Sequence, residues 1–161
     1  MKIALDLYGG DNAPLAPLEG AALAVKELGV EILAVGKEAE ARALCAQKGI
    51  PTAGIEFLDA ALAMPVCAEP TEVLKSYKES SLAVAVKALS DGKADALVTA
   101  GSTGALVVAA TFVAKRLKGV KRAALATEMP GLDSNYMLLD LGANVECRPE
   151  MLLQFAVMGA A

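Results

Sequence analysis

The sequence contains no histidine and no tryptophan, and aromatic side chains make up only 4% of its 161 residues. Without histidine the chain cannot itself supply a Ser-His-Asp or Cys-His triad, or a histidine-ligated metal site. Its three cysteines, Cys45, Cys67 and Cys147, lie far apart and form no CxxC pair. An odd number of separated thiols indicates free cysteines in a reducing cytoplasm, and none has a neighbouring base that predicts a nucleophile.

Long hydrophobic runs and an excess of positive charge are also missing. The longest apolar run, residues 105–114, contains Thr111 and meets Lys115 after about three helical turns, too few to span a membrane. Met1 leads directly into a strand-like run, so no signal peptide is predicted and a cytoplasmic location is expected. The formal net charge of −4 argues against a general nucleic-acid binder.

What is present is an alternation of short apolar runs and amphipathic segments in a chain that is 55% hydrophobic. The pattern predicts strands over 2–7, 30–36, 54–59, 94–100, 122–128 and 135–142. It predicts helices over 14–28, 37–48, 71–78, 81–89 and 102–118, and from 149 onward. Strands and helices that alternate at this spacing indicate an α/β domain with a mainly parallel sheet covered on both faces.

The first candidate binding segment follows the first strand, in "DLYGGDNAP" at residues 6–14. Gly9 and Gly10 allow unusual backbone angles and a close approach of a ligand. Asp11 and Asn12 offer polar side chains at the carboxyl end of a strand, where open parallel sheets bind ligands. A turn in which Asp11 and Asn12 cap the next helix explains the same residues equally well.

The second segment is "VTAGSTGALVVAA" at 98–110, where Gly101, Ser102, Thr103 and Gly104 join a strand to a helix. Free N–H groups at a helix start bind anions, phosphate especially, and the two hydroxyls add donors. The spacing matches neither G-x-G-x-x-G nor the P-loop, so it does not predict a nucleotide site. A plain helix cap is the alternative.

The third segment is "LLDLGANVECRPE" at 138–150, with Asp140 closing a strand, Gly142 in the turn and Asn144 offering an amide. A polar turn before a helix is again the alternative. Because the carboxyl ends of parallel strands share one edge of a sheet, we expect all three segments to converge there.

A basic patch follows the predicted helix at 102–118. Its five cations within eight residues are Lys115, Arg116, Lys118, Lys121 and Arg122. They can complement the C-terminus of that helix, which is the simpler role, or form a landing surface for an acidic partner.

Three of these stretches together resemble one family. "GGDNAP", "ADALVTAGSTGAL" and "LLDLGANVECRPEMLLQFAVMG" are similar, in this order, to the acyl-acyl carrier protein:phosphate acyltransferases of bacterial phospholipid synthesis, the PlsX family. Tyr8 and Ser102 depart slightly from the usual "DAMGGDNAP" and "AGNTGAL". Members of that family are about twice as long, so the resemblance is to the N-terminal half, and we expect residues 1–161 alone to be inactive.

The resemblance implies a reaction in which inorganic phosphate attacks a fatty acyl-acyl carrier protein thioester and gives acyl phosphate and free carrier protein. It also implies a three-layer α/β/α fold like that of phosphotransacetylases and isocitrate-type dehydrogenases. The resemblance implies no metal or cofactor. It does imply a homodimer and peripheral association with the inner face of the cell membrane.

Within this family reading the expected site residues are divided by role. Phosphate is expected near Ser102, Thr103 and Gly104, with Asn12 and Asn144 fixing phosphate or the oxyanion. Asp11 and Asp140 are expected to orient these donors, and the basic patch is expected to meet the carrier protein. Two alternatives remain: a dehydrogenase of similar architecture, and a non-catalytic chain that docks carrier protein or another lipid-synthesis enzyme.

Overall fold

A computed structural model describes residues 1–161, and the chain divides into two compact units, Met1–Ala114 and Lys115–Ala161. In the first unit the strands are β1 Lys2–Asp6, β2 Glu31–Gly36, β3 Ile55–Asp59 and β4 Ala96–Val98. Its helices are α1 Leu15–Leu28, α2 Glu38–Lys48, α3 Ser81–Ser90 and α4 Thr103–Ala109, with a 3₁₀ helix at Pro70–Leu74 and a π-helix at Ala110–Ala114.

The four strands of the first unit form one parallel sheet in the order β3-β2-β1-β4. Side chains of successive residues point to opposite faces, which β2 shows clearly. Ile32 and Ala34 pack with buried residues of α1 and α2. Leu33 and Val35 pack on the other face with alanines of α3. The predicted three-layer α/β/α arrangement is therefore confirmed for this unit.

The sequence signals that end and begin these helices act locally. Gly29 and Gly49 follow α1 and α2 with φ of 64° and 69°, in the left-handed region that favours glycine. Ser80 begins α3, where its hydroxyl accepts a hydrogen bond from the N–H of Ala83 at 3.3 Å. The strands read from the sequence lose one to four residues at their ends in the structure, as at β4.

The second unit contains β5 Ala126–Met129, β6 Tyr136–Leu139 and α5 Pro149–Gly159. β5 and β6 pair antiparallel as a separate two-stranded sheet. The sequence predicts these two strands but not their partners. They pair with each other because the short "MPGLDS" connection closes a hairpin, whereas a parallel pair needs a crossover of a dozen residues.

Two predicted helices are shorter than expected. The segment at 71–78 is helical only as the 3₁₀ turn at Pro70–Leu74. The helix at 102–118 ends at Ala114, where Lys115 takes a φ of 69°. Continuing it would stack like charges three and four residues apart through Lys121 and place Gly119 inside a helix, and both effects disfavour helix. Each helix of the structure is too short or too polar to span a bilayer.

Candidate functional site

The loops that follow β1 and β4 meet at the carboxyl edge of the parallel sheet. A Cβ added at Gly9 would lie 2.7 Å from the backbone nitrogen of Gly101 and 2.7 Å from Oγ1 of Thr99. Gly10 has a φ of +96°, and a Cβ there would lie 3.1 Å from the Cβ of Ala100. Glycine is needed at both positions, so two of the three predicted segments are in direct contact.

A buried carboxylate that the sequence reasoning missed lies beneath this contact. Asp6, the last residue of β1, is only 3% exposed. It accepts hydrogen bonds from the hydroxyls of Ser81 at 2.5 Å and Thr99 at 2.8 Å, and from the backbone N–H of Tyr8 at 3.2 Å. Three donors compensate the removal of the carboxylate from water.

The Asp6 network also fixes the start of the second loop. Oγ1 of Thr99, held by Asp6, accepts the N–H of Gly101 at 3.0 Å. One carboxylate thereby joins the end of β1, the start of α3 and the loop after β4. The signal was present in the sequence, since an aspartate that ends an apolar strand requires donors, and "SS" at 80–81 and the threonine of "VTA" at 98–100 supply hydroxyls.

The segment from Gly101 to Gly104 combines a helix cap with a packing contact. Ser102 is the residue before α4, and its hydroxyl accepts the N–H of Ala105 at 3.3 Å, as the cap alternative predicted. Thr103 is the first residue of α4 and is exposed. A Cβ at Gly104 would lie 2.8 Å from Cγ of Pro70, so the 3₁₀ helix provides a structural reason for this glycine.

Asp11 and Asn12 do not cap α1. The residue before the helix is Pro14, and no side chain there accepts a helix N–H. Asn12 contributes its backbone carbonyl, which accepts the N–H of Ala16 at 3.1 Å, while both side chains are exposed. The cap alternative for these two residues is wrong because the cap position is Pro14, three residues after Asp11 and two after Asn12, which leaves both side chains available to a ligand.

In the second unit Asp140 organises the turn after β6. It accepts hydrogen bonds from the N–H groups of Leu125 at 2.7 Å, Asn144 at 2.8 Å and Ala143 at 3.3 Å, and from the Asn144 amide at 2.9 Å. Burial raises the pKa of Asp140, but these hydrogen bonds outweigh that effect and leave its pKa below the ordinary value.

Both hydrogens of the Asn144 side-chain amide have partners. One nitrogen, Nδ2, donates to Asp140 and also to the carbonyl of Ala123 at 2.9 Å. As placed, Asn144 offers a ligand only its carbonyl oxygen, so its predicted donor role stays a prediction that requires the side chain to turn. Gly142 has a φ of 81°, which explains glycine in this turn.

The expectation that the three segments share an edge rested on parallel strands. That argument holds for β1 and β4, which are neighbours in the parallel sheet. It does not hold for Asp140, because β6 belongs to the antiparallel pair of the second unit.

All five residues of the basic patch are exposed, and none forms an ion pair within 4.0 Å. The helix ends at Ala114, so Lys115 and Arg116 directly follow its C-terminus, and their simpler role of complementing that terminus stays a prediction. Lys118, Lys121 and Arg122 lie further along the chain. The patch is a turn: the Arg116 guanidinium donates to the carbonyl of Lys121, whose N–H donates to Oε1 of Gln154 at 3.0 Å.

A cavity of about 650 Å³ in the second unit joins part of this patch to the third segment. Lys121, Arg122, Asn144 and Arg148 contribute to its lining, together with Glu146 and Glu150. Arg148, which precedes α5, was not singled out from the sequence. Its position directly before a proline-started helix was the available signal, since anions bind at such helix starts.

Comparisons with known proteins agree over nearly the whole chain. The family model described as "Fatty acid synthesis protein" matches residues 1–161. A phosphate acyltransferase from Clostridium kluyveri is 42% identical over 159 residues, which cover 99% of this chain and 48% of the relative. One from Caldicellulosiruptor bescii is also 42% identical and is covered to 48%. The chain thus spans about half the length of the curated relatives it matches.

Solved structures show the same fold at lower identity. A phosphotransacetylase from Streptococcus pyogenes matches 98% of this chain with a TM-score of 0.74 and 21% identity. The EutD phosphotransacetylase from Staphylococcus aureus matches 98% with a TM-score of 0.72 and 23% identity. In each, the match covers 51% of the solved chain. The family match over residues 1–161 and the 42% identity to phosphate acyltransferases show that this chain belongs to the "Fatty acid synthesis protein" family.

Proposed function

We propose that this chain provides the phosphate-binding half of a phosphate acyltransferase, which converts fatty acyl-acyl carrier protein and inorganic phosphate to acyl phosphate and free carrier protein. The observation that carries the proposal is the match to phosphate acyltransferases across 99% of the chain at 42% identity. The contact between the loops after β1 and β4 supplies a place for the chemistry at the edge where such sheets bind ligands.

The reaction requires little covalent chemistry from the protein. A phosphate oxygen attacks the thioester carbonyl carbon, the new C–O bond forms, the C–S bond breaks, and the carrier thiolate leaves and takes up a proton. Phosphate is itself the nucleophile, which suits a chain without histidine. The protein must hold phosphate against the thioester and stabilise the developing oxyanion with fixed donors.

In this proposal the loop after β4 binds phosphate. Ser102, Thr103 and Gly104 present N–H groups at the start of α4, and the exposed Thr103 hydroxyl adds a donor. Gly101 and the facing Gly9 and Gly10 let the two backbones close on the ligand. Asn12 donates from the loop after β1, and Asp11 orients it. Asp6 is a positioning residue, because it acts through Thr99 on Gly101.

For the second unit the proposal keeps Asp140, Gly142 and Asn144 in a positioning role. The Asp140–Asn144 hydrogen bonds support it, since a carboxylate that receives four donors holds its turn in one conformation. A donor role for Asn144 requires release of one of its two amide partners.

The acidic carrier protein is proposed to approach the basic patch. Five exposed cations without ion pairs, in a chain of net charge −4, create a local positive surface that steers an acidic partner. A homodimer at the inner face of the cytoplasmic membrane completes the proposal, as the family resemblance implies. The same free patch favours the second candidate function, a non-catalytic chain that only docks carrier protein.

The decisive experiment measures acyl phosphate and free carrier thiol together. Residues 1–161 are assayed alone and as a chimera in which they replace the matching 159 residues of the Clostridium kluyveri relative. We expect phosphate-dependent thiol release by the chimera, and a rate at least about 100-fold lower from residues 1–161 alone, because displacing site groups by about 1 Å already costs that much.

A chimera that melts cooperatively like its parent and binds carrier protein, yet releases no thiol, would support the docking function instead. Turnover by residues 1–161 at the chimera's rate would contradict the expectation that these residues are inactive by themselves.

A further inference from the structure

A long cavity runs along one face of the parallel sheet in the first unit. Its volume is about 570 Å³, within the range of sites that hold small molecules. It lies beside α1 over β1 and β4, on the face to which Ile3, Leu5 and Ile32 point. Val98 of β4, which pairs with Leu5 and shares this face, is 51% exposed.

The walls of the cavity are apolar on both sides. The sheet contributes branched side chains, and α1 contributes the small residues Ala16, Gly20 and Ala24 at four-residue spacing, which places them on one helix face. An added Cβ at Gly20 would meet nothing within 4 Å, so the space in front of this glycine is open. The lining therefore suits an apolar ligand.

The shape of the cavity suits a chain rather than a compact molecule. Its lining extends along α1 from Ala16 to Leu28, a length of about 18 Å at the helical rise. One acyl chain spans about 15 Å, half of the hydrocarbon thickness of a bilayer. At one end the cavity is lined by Gly9, Gly10 and Asn12, which belong to the loop proposed above to contact the reacting group.

From this continuity we infer that the cavity, here called the α1 groove, holds the hydrocarbon tail of the acyl substrate, with its thioester end at the loops after β1 and β4. The inference rests on the proposed function for the identity of the ligand. The inference assigns a site to the acyl tail. It also implies that the small residues of α1 determine which acyl-chain lengths the protein accepts.

The test uses residues 1–161 and three n-alkyl phosphonates, butyl, octyl and dodecyl, each below its critical micelle concentration, in isothermal titration calorimetry. The charged head is constant, so a change in affinity along the series reports the tail. Full burial strengthens binding about fourfold per methylene. Because the groove is open along one side, we expect about twofold per methylene, or about 16-fold from butyl to octyl.

Two variants of neighbouring residues locate the effect. Gly20→Leu fills the groove and also replaces a helical glycine, so the protein should melt no lower than wild type. It should weaken octyl phosphonate at least about tenfold and leave butyl phosphonate unchanged. Glu19→Leu adds the same side chain to α1 outside the groove lining and should leave the whole series unchanged.

Equal affinity for the three phosphonates, or equal weakening by both leucine variants, would overturn the inference. So would a concentration-dependent dimer in sedimentation that Gly20→Leu dissociates, since a second copy would then occupy the groove. These results distinguish a failure of the inference from a failure of the proposed function. Length-dependent phosphonate binding together with an inactive chimera would support the groove and contradict the proposed reaction. An active chimera together with length-independent phosphonate binding would support the reaction and contradict the groove.

Discussion

Each unit of this chain ends a strand with a carboxylate that gathers the donors of nearby loops, but the two are supported differently. Asp6 is 3% exposed and lies in a unit with three clusters of buried apolar residues. Asp140 is half-buried in a unit whose buried apolar side chains are Met151 and Phe155. Leu132 and Val145 of that unit are fully exposed.

The difference indicates what holds each turn in place. Around Asp6, packing fixes the surrounding elements, and the hydrogen bonds satisfy a group that packing has buried. Around Asp140, few apolar contacts are available, so its four hydrogen bonds carry a larger share of the local structure.

The largest effect is expected for Asp6→Ala. It leaves the hydroxyls of the buried Ser81 and the half-buried Thr99 without their acceptor, which should cost at least about 3 kcal/mol of unfolding free energy. Urea unfolding measures this loss. Asp95→Ala is the control, because Asp95 also accepts a backbone N–H, from Lys2 at 2.7 Å, but is exposed. Similar losses in both variants would contradict the role assigned to burial.

Asp140→Asn tests the corresponding carboxylate of the second unit. Removing the charge from four hydrogen bonds should cost about 1.5–3 kcal/mol of local stability, read as faster hydrogen exchange at the N–H groups of Leu125 and Asn144. Asp133→Asn, an exposed aspartate of the same unit, should leave that exchange unchanged.

The pH dependence of this loss has a definite sign. The pKa of Asp140 is lowered in the folded protein, so its stabilisation is fully present above the unfolded value of about 3.9 and disappears as pH falls through the folded value. The difference between wild type and Asp140→Asn should therefore be constant near neutral pH and shrink below about pH 4. A difference that grows on acidification would contradict the assignment.

A pair of glycine variants compares a tight contact with an open one inside the first unit. Gly104→Ala places a Cβ 2.8 Å from Cγ of Pro70 and should cost about 1–3 kcal/mol through overpacking. Gly20→Ala meets nothing within 4 Å in α1 and should add about 0.5–1 kcal/mol through helix propensity. Thermal melts of the two variants should move in opposite directions; a shift of both to higher temperature would remove the packing account of Gly104.

The smallest effect concerns the basic patch. In the chimera, Lys115→Glu with Arg122→Glu should raise KM for the carrier protein several-fold at low salt and flatten its salt dependence, because exposed charges act over about 10 Å at 0.1 M salt. Lys26→Glu with Lys87→Glu makes the same charge change on the first unit and should alter neither. An unchanged salt slope in the patch variant would remove the steering role.

The sequence predicted the parallel sheet well because its signals are local. Apolar strands, glycines after α1 and α2, and the Ser80 cap each act within a few residues. The pairing of β5 with β6 was missed, since apolar runs show that strands exist but not which partner they choose.

For the candidate site, too, the sequence predicted the local features and missed the contacts between residues far apart in the chain. Gly9, Gly10 and Gly101 could be placed at strand ends from their spacing alone. The aspartate at the end of the first apolar strand signalled a need for donors, but the sequence did not show which donors it receives, because Ser81 is 75 residues away and Thr99 is 93 residues away. The contact between Gly104 and Pro70 is equally non-local: the sequence places this glycine at a helix start but does not show the proline ring beside it.

The most direct test of the central claim, that the loops after β1 and β4 hold phosphate, is Thr103→Val in the chimera, with phosphate kinetics and thermal melting measured on the same sample. Ser102→Ala beside it removes the cap and should lower stability by about 1 kcal/mol. Thr103→Val keeps the shape of an exposed side chain and removes only a donor. The account predicts a KM for phosphate raised, or a kcat lowered, at least about tenfold, with an unchanged melting temperature. Unchanged phosphate kinetics together with a lower melting temperature would contradict it, because Thr103 would then serve only the fold.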